Sequence, residues 1–282
     1  MNRSLTCERP RALARLLIAL CAAALCLSCG DDGGSDGGAA QPTSAALFGA
    51  EISSIVLEVD YATGAAPYAG NIEVGPLWGF FGMHAERMFQ ASPTPKTITY
   101  PSELSEMEEL TDVSGESFTV VAILAIADAH RDEVNTGSKA TFYVIWLPGF
   151  YEDDSGVRDN VLGVSIGSTG VLAMFKPVIA GAQGPPVFAE RANQFVEQST
   201  LVHEFGHAVG MVNRDGGVPV QSDHHDEANG AHCDNPDCLM YFANEGAAEL
   251  VDFVVRFLTT GEEIVFDDAC LADMDAFASG QQ

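Results

Sequence analysis

Hydrophobic and polar positions partly alternate through ISSIVLEVDYA (52–62), a spacing that predicts a β-strand. GPLWGFFGMHAERMFQ (75–90) and SFTVVAILAIADAHRD (117–132) carry apolar residues at helical spacing instead, and the first of these helices is expected to start after Pro76. ATFYVIWL (140–147), then DNVLGVSIG and VLAMFKPVI (within 159–179), read as further strands separated by Gly-rich and Asp-rich turns. ERANQFVEQSTLVHEFGHAVGM (190–211) returns to a helical pattern, with Gly210 where a helix needs a left-handed terminating residue. A polar stretch rich in Gly, Asp and His (212–239) precedes two more expected helices, 245–259 and 267–279. The order is mixed, of class α+β, and contains no internal repeat.

The chain has 282 residues, 47% of them hydrophobic, which is enough to bury one sizeable core or two modest ones. Acidic residues outnumber basic ones 40 to 13, and a formal charge of -27 repels a phosphate backbone, so nucleic acid is excluded as a partner. The first 28 residues run against this balance, with four Arg and one Glu. They end in the apolar run LLIALCAAALCLS, too short for a spanning helix, and read as a secretory signal.

That run closes on Leu27-Ser28-Cys29-Gly30, which resembles a bacterial lipobox. The resemblance implies that Cys29 is lipidated and that the protein is held outside the cytoplasm by a lipid anchor. Gly30, where an inner-membrane retention signal has Asp, implies the outer membrane or cell surface. Cys26 stands where the lipobox has Leu, so ordinary signal cleavage is the alternative. Residues 29–46 are Gly-, Asp- and Ser-rich and read as a flexible tether. The folded domain is expected over 47–282, with subdomains 47–211 and 212–282.

Within the long helix, His203-Glu204-Phe205-Gly206-His207 places two imidazoles four residues apart, about 40° around the axis and on one face. Both can reach one metal ion. Zinc suits them, since catalytic zinc takes three protein ligands, often imidazoles, and a water. Glu204 would sit beside that water and carry its proton to a leaving amine.

The continuation HEFGHAVGMVN resembles the metzincin metallopeptidase pattern HExxHxxGxxH through Gly210, but Asn213 stands where that family has its third ligand. Downstream, HCDNPDCLMY (232–241) sets Met240 eight residues after His232, the spacing of third His and Met-turn methionine in archaemetzincins and matrixins. The resemblance implies a metzincin-like fold: a twisted mixed sheet, long helices and a small C-terminal subdomain. It implies His203, His207 and His232 as zinc ligands, with Met240 as an apolar floor beneath them. Nineteen residues would then be inserted before the third ligand, as in leishmanolysins, at little entropic cost. The insertion also holds His224 and His225, and His224 is the alternative third ligand.

Two readings stand for the remaining cysteines. Cys233 and Cys238 form a disulfide, as an exported protein allows, or the archaemetzincin pattern implies a second, structural zinc held by Cys233, Cys238, Asp267 and Cys270. EDDSG (152–156) reads as a solvated acidic turn, with calcium as a weaker reading because no EF-hand spacing is present. His84 and His130 lack partner motifs and read as structural. The expected function is a membrane-anchored zinc endopeptidase acting on peptide or protein substrates; the alternative is an inactive binding module of the same fold.

Overall fold

In the computed structural model, the described residues are 40–72, 75–182, 184, 186, 189–212, 216–221, 223–260 and 264–281. The signal segment 1–28, Cys29 and Asn213 lie outside them. Among the described residues no helix is long and apolar enough to cross a membrane.

The elements run α1 (Ser44–Phe48), β1 (Ser54–Ala62), β2 (Asn71–Ile72), β3 (Gly75–Pro76), α2 (Gly79–Met88), β4 (Thr97–Thr99), β5 (Glu108–Leu110), β6 (Ser117–Phe118) and α3 (Val120–His130). They continue with β7 (Lys139–Leu147), β8 (Phe150–Asp153), β9 (Gly156–Arg158), β10 (Gly163–Ser165), β11 (Val171–Phe175), α4 (Lys176–Gly181), α5 (Ala189–Val209), α6 (Ala247–Thr260) and α7 (Asp268–Ala278). The protein is α+β, built on a mixed sheet of order β10-β11-β7-β1-β4, with β5 also beside β1. Its pairs are parallel except β10 with β11. From Ala140 to Leu147 every residue of β7 is buried, as expected of a central strand covered on both faces. β10 ends the sheet, and among the described residues its other edge is paired by no strand.

α5 packs on β10 and β11 on one side and on α2 and α6 on others. Phe205 anchors it, with its ring 5.2 Å from Phe81 of α2 and 5.0 Å from Phe142 of β7. Buried Glu197, one of the helix's few charges away from water, accepts from Lys176 Nζ at 2.6 Å and from the Tyr68 backbone N–H. These contacts fix the rotation of α5, so its other face looks out on a cleft beside β10.

Three segments differ from the sequence expectation. VLAMFKPVI is a strand only to Phe175; Lys176 to Gly181 is helical, because Pro177 suits a first helical turn and Val178 and Ile179 still reach the core. Ser117–Phe118 is a short strand, and Thr119 then caps α3 by accepting from the Ala122 N–H. The expected tether to residue 46 ends sooner: Thr43 caps α1, Gln41 accepts from Asn135, and Leu47 and Phe48 are buried.

Candidate metal centre

α5 stops at Gly210, whose φ of +92° is open to glycine and costly for other residues. Met211 N–H and Gly210 N–H both return to the Gly206 carbonyl, closing the last turn. A β-carbon at Gly210 would lie 2.3 Å from Ser44 Oγ, so the glycine also admits the chain from α1.

His203 is nearly inaccessible and donates from Nδ1 to the Leu239 carbonyl at 2.8 Å, which leaves Nε2 as the lone-pair nitrogen. That Nε2 is 3.0 Å from Nε2 of His207. His232 arrives from the insertion, which folds back as a narrow hairpin: Asp226 N–H donates to the His232 carbonyl and Asp234 N–H to the His224 carbonyl. His232 donates from Nδ1 to the Asn229 carbonyl at 2.7 Å, again freeing Nε2. Its ring centroid lies 5.4 Å from that of His203 and 4.8 Å from that of His207. Nε2 of His232 is buried and satisfied by no hydrogen bond, although Glu245 Oε1 stands 3.1 Å away. One donor atom each from His203, His207, His232 and Glu245 lies within 4.8 Å of all the others.

Electrostatics suit a cation at that point. Burial, reinforced by the charge of His232, holds His203 down to about 4; burial also drives His207 well below the ordinary imidazole range. Neutral imidazoles are what a metal requires. Burial opposes protonation of His232 as well, but Glu245 and the Asn229 carbonyl raise it on balance. Glu204 is pushed up to about 8 by burial and by the charge of Glu245, while the Ser165 backbone pulls the other way. A dication beside these groups would lower the carboxylates again. The lone-pair Nε2 atoms of His203 and His232, the latter buried without a hydrogen bond, and the nearby Nε2 of His207 therefore fit a divalent, nitrogen-preferring ion such as zinc.

Glu204, His207 and Glu245 line a cleft of about 280 Å³ with Tyr151, Arg158 and β10. Met240 is fully buried under the helix. Its sulfur would lie 2.7 Å from a β-carbon on Gly206, the residue before His207.

The structure parts the histidines of the insertion. His224, the alternative third ligand, belongs to a second cluster with Cys233, Asp267 and Cys270, whose donor atoms lie within 4.8 Å of one another. His225 is in neither cluster. The expected Cys233–Cys238 disulfide is absent: Cys233, Cys238 and Cys270 are free thiols, all buried. Cys238 Sγ is 3.6 Å from Cys270 Sγ, and Cys270 Sγ is 3.7 Å from His224 Nδ1. His224 Nε2 donates to Asp273 at 2.8 Å, so Nδ1 is the nitrogen turned toward the sulfurs. Asp267 caps α7 by accepting from the Cys270 N–H at 2.7 Å, while its other oxygen accepts from Cys233 Sγ and Asn235.

Two residues have no counterpart in the sequence reading, Glu245 and Asp273. Asp273 follows Cys270 by one helical turn, a spacing that could have marked it; Glu245 carries no such signal. In EDDSG, Asp153 pairs with Arg158 at 2.8 Å and Glu152 accepts from Ser117, so those carboxylates are engaged within the β8–β9 hairpin and offer calcium little. His84 donates from Nδ1 to the Phe80 carbonyl and accepts from Val265 N–H at Nε2, a structural role, and burial holds it down to about 4.

Comparison with family models and with curated proteins gives no match. Among solved structures the chain is similar to a zinc-dependent peptidase from Methanocorpusculum labreanum (strain Z), at 12% identity and a TM-score of 0.40, over 77% of this chain and 99% of that one.

Proposed function

We propose that this protein is a zinc-dependent endopeptidase, exported and anchored through lipidated Cys29. The observation that carries the reading is the convergence of His203, His207 and His232, each ring presenting a nitrogen to one point beside Glu204 in an open cleft. Zinc held there supplies Lewis-acid polarisation of a carbonyl and of a water.

The chain's own residues do the rest. The Leu239 and Asn229 carbonyls hold the His203 and His232 rings in the ligating tautomer. Glu204, on the ligand helix but outside the group of four donors, takes a proton from water and returns it to the departing amine nitrogen. The free edge of β10 runs along the cleft, so an extended peptide can pair with its backbone and lie across the site. Peptide or protein is therefore the substrate class.

We assign a second, structural zinc to Cys233, Cys238, Cys270 and His224. Thiolates at about 2.3 Å from a tetrahedral zinc lie about 3.8 Å apart, close to the 3.6 Å between Cys238 and Cys270. His224 takes the place that the sequence reading gave Asp267, whose Oδ1 caps α7 while its Oδ2 stands 3.3 Å from Cys233 Sγ at the edge of the cluster.

The test of the reaction is Glu204→Gln assayed on a denatured protein substrate. Hydrolysis should fall by about 10² to 10⁴ with zinc content unchanged. Unaltered turnover would refute the role of Glu204. No hydrolysis by the zinc-loaded wild type on any of a broad set of peptides would favour the binding-module alternative.

A further inference from the structure

Glu245 closes the short turn Phe242–Glu245 just before α6, and Gly246 follows it. Its side chain is 52% exposed, yet the carboxylate reaches inward to stand 3.1 Å from the orphaned Nε2 of His232. Two ligands of a tetrahedral zinc at about 2.0 to 2.1 Å are about 3.3 Å apart. The His203–His207 nitrogens at 3.0 Å and the His232–Glu245 pair at 3.1 Å therefore both have the separation of atoms sharing one ion.

We propose that Glu245 is a fourth ligand of the resting metal and so a built-in latch on the site. This rests on the zinc reading above. Three imidazoles and one carboxylate make a closed, four-coordinate set, the kind that leaves no position for water. Glu204 is excluded from that set and stays available for proton transfer. Because Glu245 is half exposed on a brief turn, its side chain can rotate into solvent while the three histidines, two on α5 and one in the returning hairpin, stay in place. The site is then open. Latency would thus need no propeptide: the carboxylate occupies the position that substrate and water require, and an entering substrate carbonyl competes with it.

The opposing arrangement would be two carboxylates, Glu204 and Glu245, facing one cleft with no cation between them. A metal bound by Glu245 removes that conflict.

The test uses the full chain loaded with Co²⁺, comparing wild type, Glu245→Ala and Glu245→Gln. Metal affinity from chelator competition should drop by about 10-fold or more in both variants. Their visible absorption should shift from the wild-type spectrum, and added acetate should return the Glu245→Ala spectrum toward it. Azide should perturb the variants at concentrations that leave the wild type unchanged. Affinity within about 2-fold of wild type, with the same spectrum and the same azide response, would overturn the proposal while leaving the histidine site intact. A wild type that takes up no Co²⁺ or Zn²⁺ would overturn both.

Discussion

The sulfur of Met240 occupies the space directly beneath Gly206, so close that a β-carbon on the glycine would lie 2.7 Å from it. The methionine thus supports α5 between the two turns that carry His203 and His207. Met240 is itself held by Cys233, whose N–H donates to the Met240 carbonyl at 2.8 Å. One short segment therefore ties the floor of the first cluster to a cysteine of the second.

Gly206→Ala should force the helix and the methionine apart. The expected cost is about 1 to 3 kcal/mol of stability, with weaker metal binding as the two imidazoles lose their common aim. Thermal melts and chelator competition check this. Wild-type values for both would show that Met240 yields freely.

Asp60 gives a pH signature away from the metal. It is 3% exposed and accepts from Tyr143 Oη at 2.7 Å. Burial raises it to about 6; the Tyr143 bond opposes this and the charges of Glu58 and Glu108 add to it. Since an unfolded Asp titrates near 3.9, the native state binds this proton more tightly, and ionisation costs stability as pH rises from about 4 to 6. Asp60→Asn escapes that cost. Its stability relative to wild type should rise between pH 4 and pH 7.5 by at most about 3 kcal/mol, and a flat difference would contradict the assignment.

The second cluster is tested by its thiols. After denaturation under chelator, Cys233, Cys238 and Cys270 should all react with a thiol reagent, and far more slowly in the native zinc-loaded protein. His224→Ala should release one zinc per chain and lower the melting temperature by several degrees, as loss of a structural zinc does. A single reactive thiol in the denatured chain would restore the disulfide reading.

The helix carrying the site was legible because its period of 3.6, its terminating Gly210 and the four-residue His spacing all depend on neighbours in sequence. The sheet's central strands were legible for the same reason. Short β4 and β5 were not: they hold three mostly polar residues each, and only pairing with the distant β1 makes them strands, while β8 and β9 are short arms flanking the acidic turn. VLAMFKPVI is a continuous apolar run, which a buried strand and a buried helix share, so its helical second half could not be separated. His224 was ambiguous because its destination is set by Asp273, 49 residues further on. Glu245 was hidden because nothing in its local pattern says that the turn after Met240 bends back to the histidines.

The most direct measurement is zinc per chain by mass spectrometry on purified wild type, His232→Ala and His224→Ala. The expected result is two equivalents for wild type and one for each variant, with hydrolysis lost only in His232→Ala. Zinc retained at wild-type level and affinity in His232→Ala, or no zinc in wild type purified with zinc present, would contradict a centre built from His203, His207 and His232.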